Sequence, residues 1–456
     1  MRTEHTHDEQ TMTSPDVGAW LRANGSLLRT IDPHDDDDFS DLAPLRDIVG
    51  GARIVGIGES THRIHEFYQI RHRLTRFLLA ELGFTAVVME SGFAEGLAVD
   101  EWIRTGSGDL EQVIRAGITY SFGRCEEMRE QLRWLRARNQ AGARVSFYGM
   151  DLADSSGSAR PAVQAVLSYL DRVDAAYGDH LRAGLLPMFD YLPTDRTGIA
   201  WVAPTLHAYI ALDPAVRHEL TARINDLAER MQAMRVVYIG RSDRESYEFA
   251  YRCAATARHT DAFLTGFPEG ATRAYEGANV RDAAMAENLE WILRRHERVV
   301  VLAANGHVQL RPWSAPPIVP NELTMLGEQL AAEHRHEMVV IATTFGGGEL
   351  LLHRPHPDDP PGHSRLFTEK LGLLDPDSLD ELLAGSGLPR YLLDLRKVPA
   401  DGPVAERFAA VRSIMTGGQA TPVDPLAAFD AVVYVGEVSP WRHFPDWGRP
   451  ASDQDR

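Results

Sequence analysis

The chain has 456 residues, 44% hydrophobic and 25% charged, a composition ordinary for a folded globular protein with room for up to about three average domains. Its formal net charge of −18, from 47 basic and 65 acidic residues, argues against broad nucleic-acid or anionic-membrane binding, which needs a basic face. Two cysteines, Cys125 and Cys253, exclude a disulfide framework and suit a reducing compartment.

Residues 1–38 read as a polar leader, partly disordered, with a short helix over 19–28 and an acidic run at 35–38 that is a solvated loop. The first residues lack the apolar core of a signal peptide, and no run nears the roughly 18 apolar residues of a membrane span, so a cytoplasmic protein without a membrane partner is expected. From residue 50 short, nearly continuous apolar runs alternate with long amphipathic ones. The runs at 54–57, 85–89, 145–148, 299–303, 338–342 and 431–435 have the length and composition of strands covered on both faces. In 64–82, Phe67, Ile70, Leu74, Phe77 and Leu78 recur three or four apart, the stripe of a packed helix, and Gly83 stops it.

The alternation predicts an α/β fold, a mainly parallel central sheet flanked by helices. The interval 156–296 contains no convincing strand; it reads as helices over 163–175, 215–232, 245–263 and 281–296, broken around 187–204. It is expected to be an inserted helical subdomain forming a cleft wall or lid. The α/β catalytic core is then 39–155 with 297–440, a proline-rich loop occupies 355–365, and residues 441–456 form a disordered tail.

Open parallel sheets bind ligands at the carboxyl ends of their strands. The first strand is followed by Gly58-Glu59-Ser60-Thr61-His62, the second by Glu90-Ser91-Gly92, the third by Gly149-Met150-Asp151, and the fourth by Ala304-Asn305-Gly306-His307. Four strands thus deliver imidazole or carboxylate groups to one edge. A histidine titrates near neutrality, so His62 can accept a proton there, and Glu59 is placed to fix its tautomer. Arg71, on the first helix, could steady a carboxylate or a developing oxyanion. Glu66 lies one turn past His62, with His65 beside it.

Other chemistries fit less well. Gly58 to His62 has three positions of a G-x-S-x-G nucleophile elbow but ends in histidine, which weakens Ser60 as a nucleophile. His65-Glu66-Phe67-Tyr68-Gln69 begins like H-E-x-x-H, yet Gln69 removes the second zinc ligand. A metal on His62, Glu66, Glu90, Asp151 and His307 is open from residue types alone. Gly346-Gly347-Gly348 lacks the lysine of a P-loop and reads as a turn. No motif surrounds Cys125.

Gly56-Ile57-Gly58-Glu59-Ser60-Thr61-His62, then Arg71, then Gly83 to Glu90, closely resemble the erythromycin esterase family. The likeness continues through Trp134-Leu135-Arg136 with Asn139, Phe147 to Asp151, and Arg281-Asp282-x-x-Met285-Ala286-Glu287-Asn288. It extends to Asn305-Gly306-His307, Tyr391 to Arg396 and Phe429-Asp430-Ala431, so it spans about residues 40–440.

The resemblance implies a metal-independent hydrolase without a cofactor, in which His62 activates water against a macrolactone ester. Glu59, Glu90, Arg71 and His307 are the implied catalytic group, with Glu66, His65, Asp151 and Asn305 as substrate-binding candidates. The implied partner is a large, mostly apolar small molecule, and antibiotic resistance the familiar outcome. One departure stands out: family esterases commonly carry His-Asn-x-His where this chain has Ala304 to His307, so the first imidazole is missing. Two other expectations therefore remain open: a biosynthetic enzyme using the same base for cyclisation, elimination or acyl transfer on a polyketide-like substrate, and a non-catalytic ligand-binding homologue.

Overall fold

The computed structural model describes residues 15–34, 39–193, 202–267, 271–315, 319–354, 356–358 and 363–444. The acidic run at 35–38, part of the break at 187–204, part of the proline-rich loop and the residues beyond 444 lie outside that description.

Eight strands form one sheet: β1 (Ser26–Leu27), β2 (Ile54–Ile57), β3 (Ala86–Gly92), β4 (Ser146–Asp151), β5 (Val299–Leu302), β6 (Met338–Phe345), β7 (Arg390–Asp394) and β8 (Ala431–Val435). Their spatial order is β1-β7-β8-β6-β2-β5-β3-β4. From β8 to β4 all neighbours are parallel, whereas β7 and β1 are added antiparallel at one edge. The sheet is therefore mainly parallel and the fold α/β, as the alternation of runs predicts.

Strand β2 lies at the centre of the functional edge, with Ile54 opposite Val299 on one side and Met338 on the other. Successive side chains point to opposite faces. Ile54, Val299, Val301 and Val340 accordingly join one core, and Val55, Ile57, Val300 and Ile341 the other. The first core contains the helices Arg160–Val173, Pro214–Ala233, Arg244–Thr265 and Ala271–Leu293; the second contains His65–Glu81 and Glu126–Gln140. Leu167, Leu227, Ala254 and Leu289 share one cluster with strand residues, so the helical interval packs against a sheet face. No helix of the described residues is long and apolar enough to cross a membrane.

Three strands run past their apolar cores. β3 continues to Gly92, β4 to Asp151 and β6 to Phe345, which places Glu90 and Asp151 within the sheet rather than in loops beyond it. The polar residues read as strand-following are held there by bonds to neighbouring elements. The first helix is Pro15–Asn24, earlier than expected, and leads through Gly25 into β1. At the other end, Trp441 and Phe444 are buried against the second core, so the packed chain extends past residue 440.

Candidate active site

The loop after β2 is fixed by its backbone. Gly58 N donates to Ile341 O at 2.8 Å and Glu59 N to Ala303 O at 3.0 Å, while Asn305 N donates to Glu59 O at 2.8 Å. Asn305 spans the strand ends: its Nδ2 donates to Thr343 O at 2.8 Å and its Oδ1 accepts from Thr343 N at 3.2 Å. Gly58 is required by this contact, since a Cβ there would sit 2.1 Å from Asn305 Oδ1. Asn305, a candidate for substrate, is thus spent on joining β6 to the base loop.

On that platform, His62 Nδ1 lies 2.7 Å from Glu59 Oε1. The other oxygen, Oε2, is 2.8 Å from Arg71 Nη1, both side chains being only 2% exposed. Arg71 also lies over the Tyr68 ring, 4.9 Å from its centroid. Burial alone would lower the Arg71 pKa, but Glu59 and Tyr68 outweigh it and raise it. The guanidinium therefore serves Glu59, which in turn orients His62. Of the two roles the sequence offers Arg71, steadying a carboxylate or a developing oxyanion, the geometry matches the first, since its charge is paired with Glu59 in the interior.

The His62 ring is 34% exposed, with Phe122 tilted against it at 4.7 Å. It opens on a cavity of about 500 Å³ whose lining includes Arg63, Leu351, Leu352, His353 and Gln419. Two antiparallel hairpins, Glu349–Arg354 with Arg365–Lys370 and Ser413–Thr416 with Gln419–Pro422, supply most of that wall.

A second constellation fills the ends of β3, β4 and β5. His307 Nδ1 is 2.8 Å from Asp282 Oδ1, and its Nε2 is 3.3 Å from Glu90 Oε1. Glu90 Oε2 accepts from Ala304 N at 2.8 Å. Arg281 donates to Glu90 at 2.9 Å and to both oxygens of the wholly buried Asp151. Burial opposes charge on His307, but Asp282 and Glu90 push its pKa up to about 10. Burial likewise opposes the Glu90 carboxylate, yet His307, Arg281 and His62 hold it well below the usual range. At neutral pH His307 is an imidazolium, a fixed charge and not a base.

His65 and Glu66 are turned elsewhere. His65 Nδ1 pairs with the buried Glu127, which also receives Arg442, and Glu66 accepts from Ser439 N and Oγ at 2.7 and 2.8 Å. Both secure the segment that carries the chain out through residues 439–442 and are unavailable to substrate through those atoms. The five side chains weighed as a metal set therefore do not converge. Among the described residues the group with ligand spacing is Glu290, Glu333 and His334, outside this site.

Several site residues escape sequence reasoning. Arg281 and Asp282 stand in a quoted motif, but nothing in the sequence reveals that they meet Glu90 and His307 across long separations. Tyr120 lies under Arg281, 5.0 Å from ring centroid to guanidinium, and stacks on Phe122. Tyr120, Ser121, Asp154, Ser155 and Ser156 all have positive φ, with Tyr120 N bonded to Ser155 Oγ and its hydroxyl to Ser156 Oγ. Such local strain clusters at functional sites.

The family model for erythromycin esterase matches residues 79–438, a span beginning after His62. Erythromycin esterase type II of Escherichia coli is 27% identical over 379 residues, 81% of this chain and 86% of its own. The type I enzyme of the same organism is 25% identical over 416 residues, 87% and 94% of the two chains. Among solved structures, a Bacillus cereus protein superposes with a TM-score of 0.76 at 22% identity, covering 94% of this chain and 98% of that one. A mutant of the erythromycin esterase EreC in its open conformation gives 0.74 at 18% identity, covering 91% and 98%.

Proposed function

The chain belongs to the erythromycin esterase family, and we propose that it is a metal-independent hydrolase opening a macrolactone-type ester with His62 as the base. The observation that carries this reading is the buried relay Arg71–Glu59–His62, which ends in a partly exposed imidazole facing a cavity. A carboxylate on Nδ1 fixes the proton there and leaves the lone pair on Nε2 for substrate chemistry.

His62 Nε2 removes a proton from water as the water oxygen bonds to the acyl carbon and the carbonyl π pair moves onto its oxygen. Glu59 balances the imidazolium so formed. Collapse of the tetrahedral intermediate re-forms the carbonyl and breaks the bond to the ring oxygen, which takes the proton from His62. The products are an acid and an alcohol on one opened chain. His307 cannot replace His62 as base, because its two carboxylates keep it protonated; with Arg281 it fixes Glu90 and Asp151 beside the reaction centre.

Incubation with a panel of macrolactones, erythromycin included, is expected to yield a linear product one water heavier, at a rate unchanged by chelator. Ala304 favours a second reading, since the strand end that carries two imidazoles in family esterases carries one here. If no lactone opens while acyclic hydroxy-esters are closed, the same base serves biosynthesis and the hydrolytic reading fails.

A further inference from the structure

Water addition places a negative charge on the carbonyl oxygen, so a cation should wait near His62 that is not already neutralised. Arg71 is paired with Glu59, and Arg281 and His307 share Glu90, Asp151 and Asp282. In the cavity wall Arg354 is paired with Glu369. His353 is no cation either, because burial, with the charges of Arg63 and His62, pushes it down to about 3.

Arg63 differs from all of these. It follows the base directly, lines the same cavity and is 9% exposed. Among the described residues no carboxylate lies within ion-pair distance of it, and its Nε has no hydrogen-bond partner. After Tyr68, the group that favours its charge is Glu59, whose two oxygens already face His62 and Arg71. Burial accordingly draws its pKa down to about 10 despite Tyr68 and Glu59.

The backbone at Arg63 has φ 66°, a left-handed conformation costly for a side chain bearing a Cβ. It is held by the bond from Trp441 N to Arg63 O, 2.9 Å, and by His65 N donating to Ser439 O. Desolvation penalises a buried guanidinium without a counter-ion, and charge-assisted hydrogen bonds to a bound anion would offset that penalty. Strain and an unmatched charge therefore coincide at one residue beside the base.

We propose that Arg63 receives the oxyanion of the tetrahedral intermediate, so that the cavity it shares with His62 is a site for a tetrahedral anion. The inference rests on the hydrolytic reading but has its own readout. n-Butylphosphonate, a tetrahedral anion with no ester bond to cleave, serves as the probe, with binding followed by calorimetry.

The folded wild type should bind it, Arg63→Met should bind at least tenfold more weakly, and Arg63→Lys should recover part of the loss. Arg182→Met, which removes a cation paired with Asp171 away from this cavity, should leave the affinity unchanged. On any lactone the wild type opens, Arg63→Met should lower kcat about 10²–10³-fold with little change in KM, the usual loss for an oxyanion donor. Binding by Arg63→Met within twofold of wild type, or absence of wild-type binding, overturns the proposal, as does an unchanged kcat. Arg63-dependent phosphonate binding without hydrolysis of any lactone would instead retire the hydrolytic reading and leave the anion site standing.

Discussion

Two histidines stand at neighbouring strand ends and are used differently because their partners differ. His62 meets one carboxylate, itself matched by a guanidinium, whereas His307 lies between two. Replacing Glu59 by Gln keeps the shape but loses the charge that fixes the imidazole, so kcat should fall roughly 10²–10⁴-fold, with KM little altered. Arg71→Met would leave Glu59 buried without its cation and should cost about 3–5 kcal/mol in a urea titration.

The raised pKa of His307 has a defined sign in stability. Its contribution is complete below the unfolded value near 6.5, and is lost as pH rises through about 10. The wild type should therefore lose more stability than His307→Gln between pH 6.5 and 10, and equal losses would remove the paired imidazolium from the account. The Glu59–His62 pairing was legible in the sequence because the partners are three positions apart. The meeting of Glu90 with Arg281 was not, since 191 positions separate them and only the sheet order brings them together.

At the level of elements, the loop after β2 depends on Gly58 and Asn305 as one unit. Asn305→Ala strips two bonds from buried backbone of β6 and should destabilise by about 1–3 kcal/mol, lowering kcat through movement of Glu59. Gly58→Ala should act in the same direction, because its methyl would displace Asn305. The start of the helix His65–Glu81 holds the segment at 439–442 through Glu66 and His65. Glu66→Ala should accelerate amide exchange at Ser439, with far less effect on kcat than Glu59→Gln.

Apolar periodicity located the six parallel strands and that helix, because continuous burial leaves a clear pattern. It missed β1, two residues long, and β7, whose ends are Arg390 and Asp394. It also stopped β3, β4 and β6 early, because the polar residues that finish them are satisfied only by distant partners.

Across the whole molecule, the parallel sheet turns a linear series of polar strand ends into one reaction edge, with the relay on one side and the His307–Glu90–Arg281 constellation on the other. Helices bury both faces, and the hairpins that wall the cavity lie within residues 349–422, where apolar periodicity is weak. In the proposed reaction His62 makes water the attacking group. The most direct test is lactone opening in ¹⁸O-labelled water by the wild type and by folded His62→Ala. The wild-type acid should carry one labelled oxygen and the variant should form no product; opening by the variant at the wild-type rate, or a wild-type acid without label, would rule out water activation by His62.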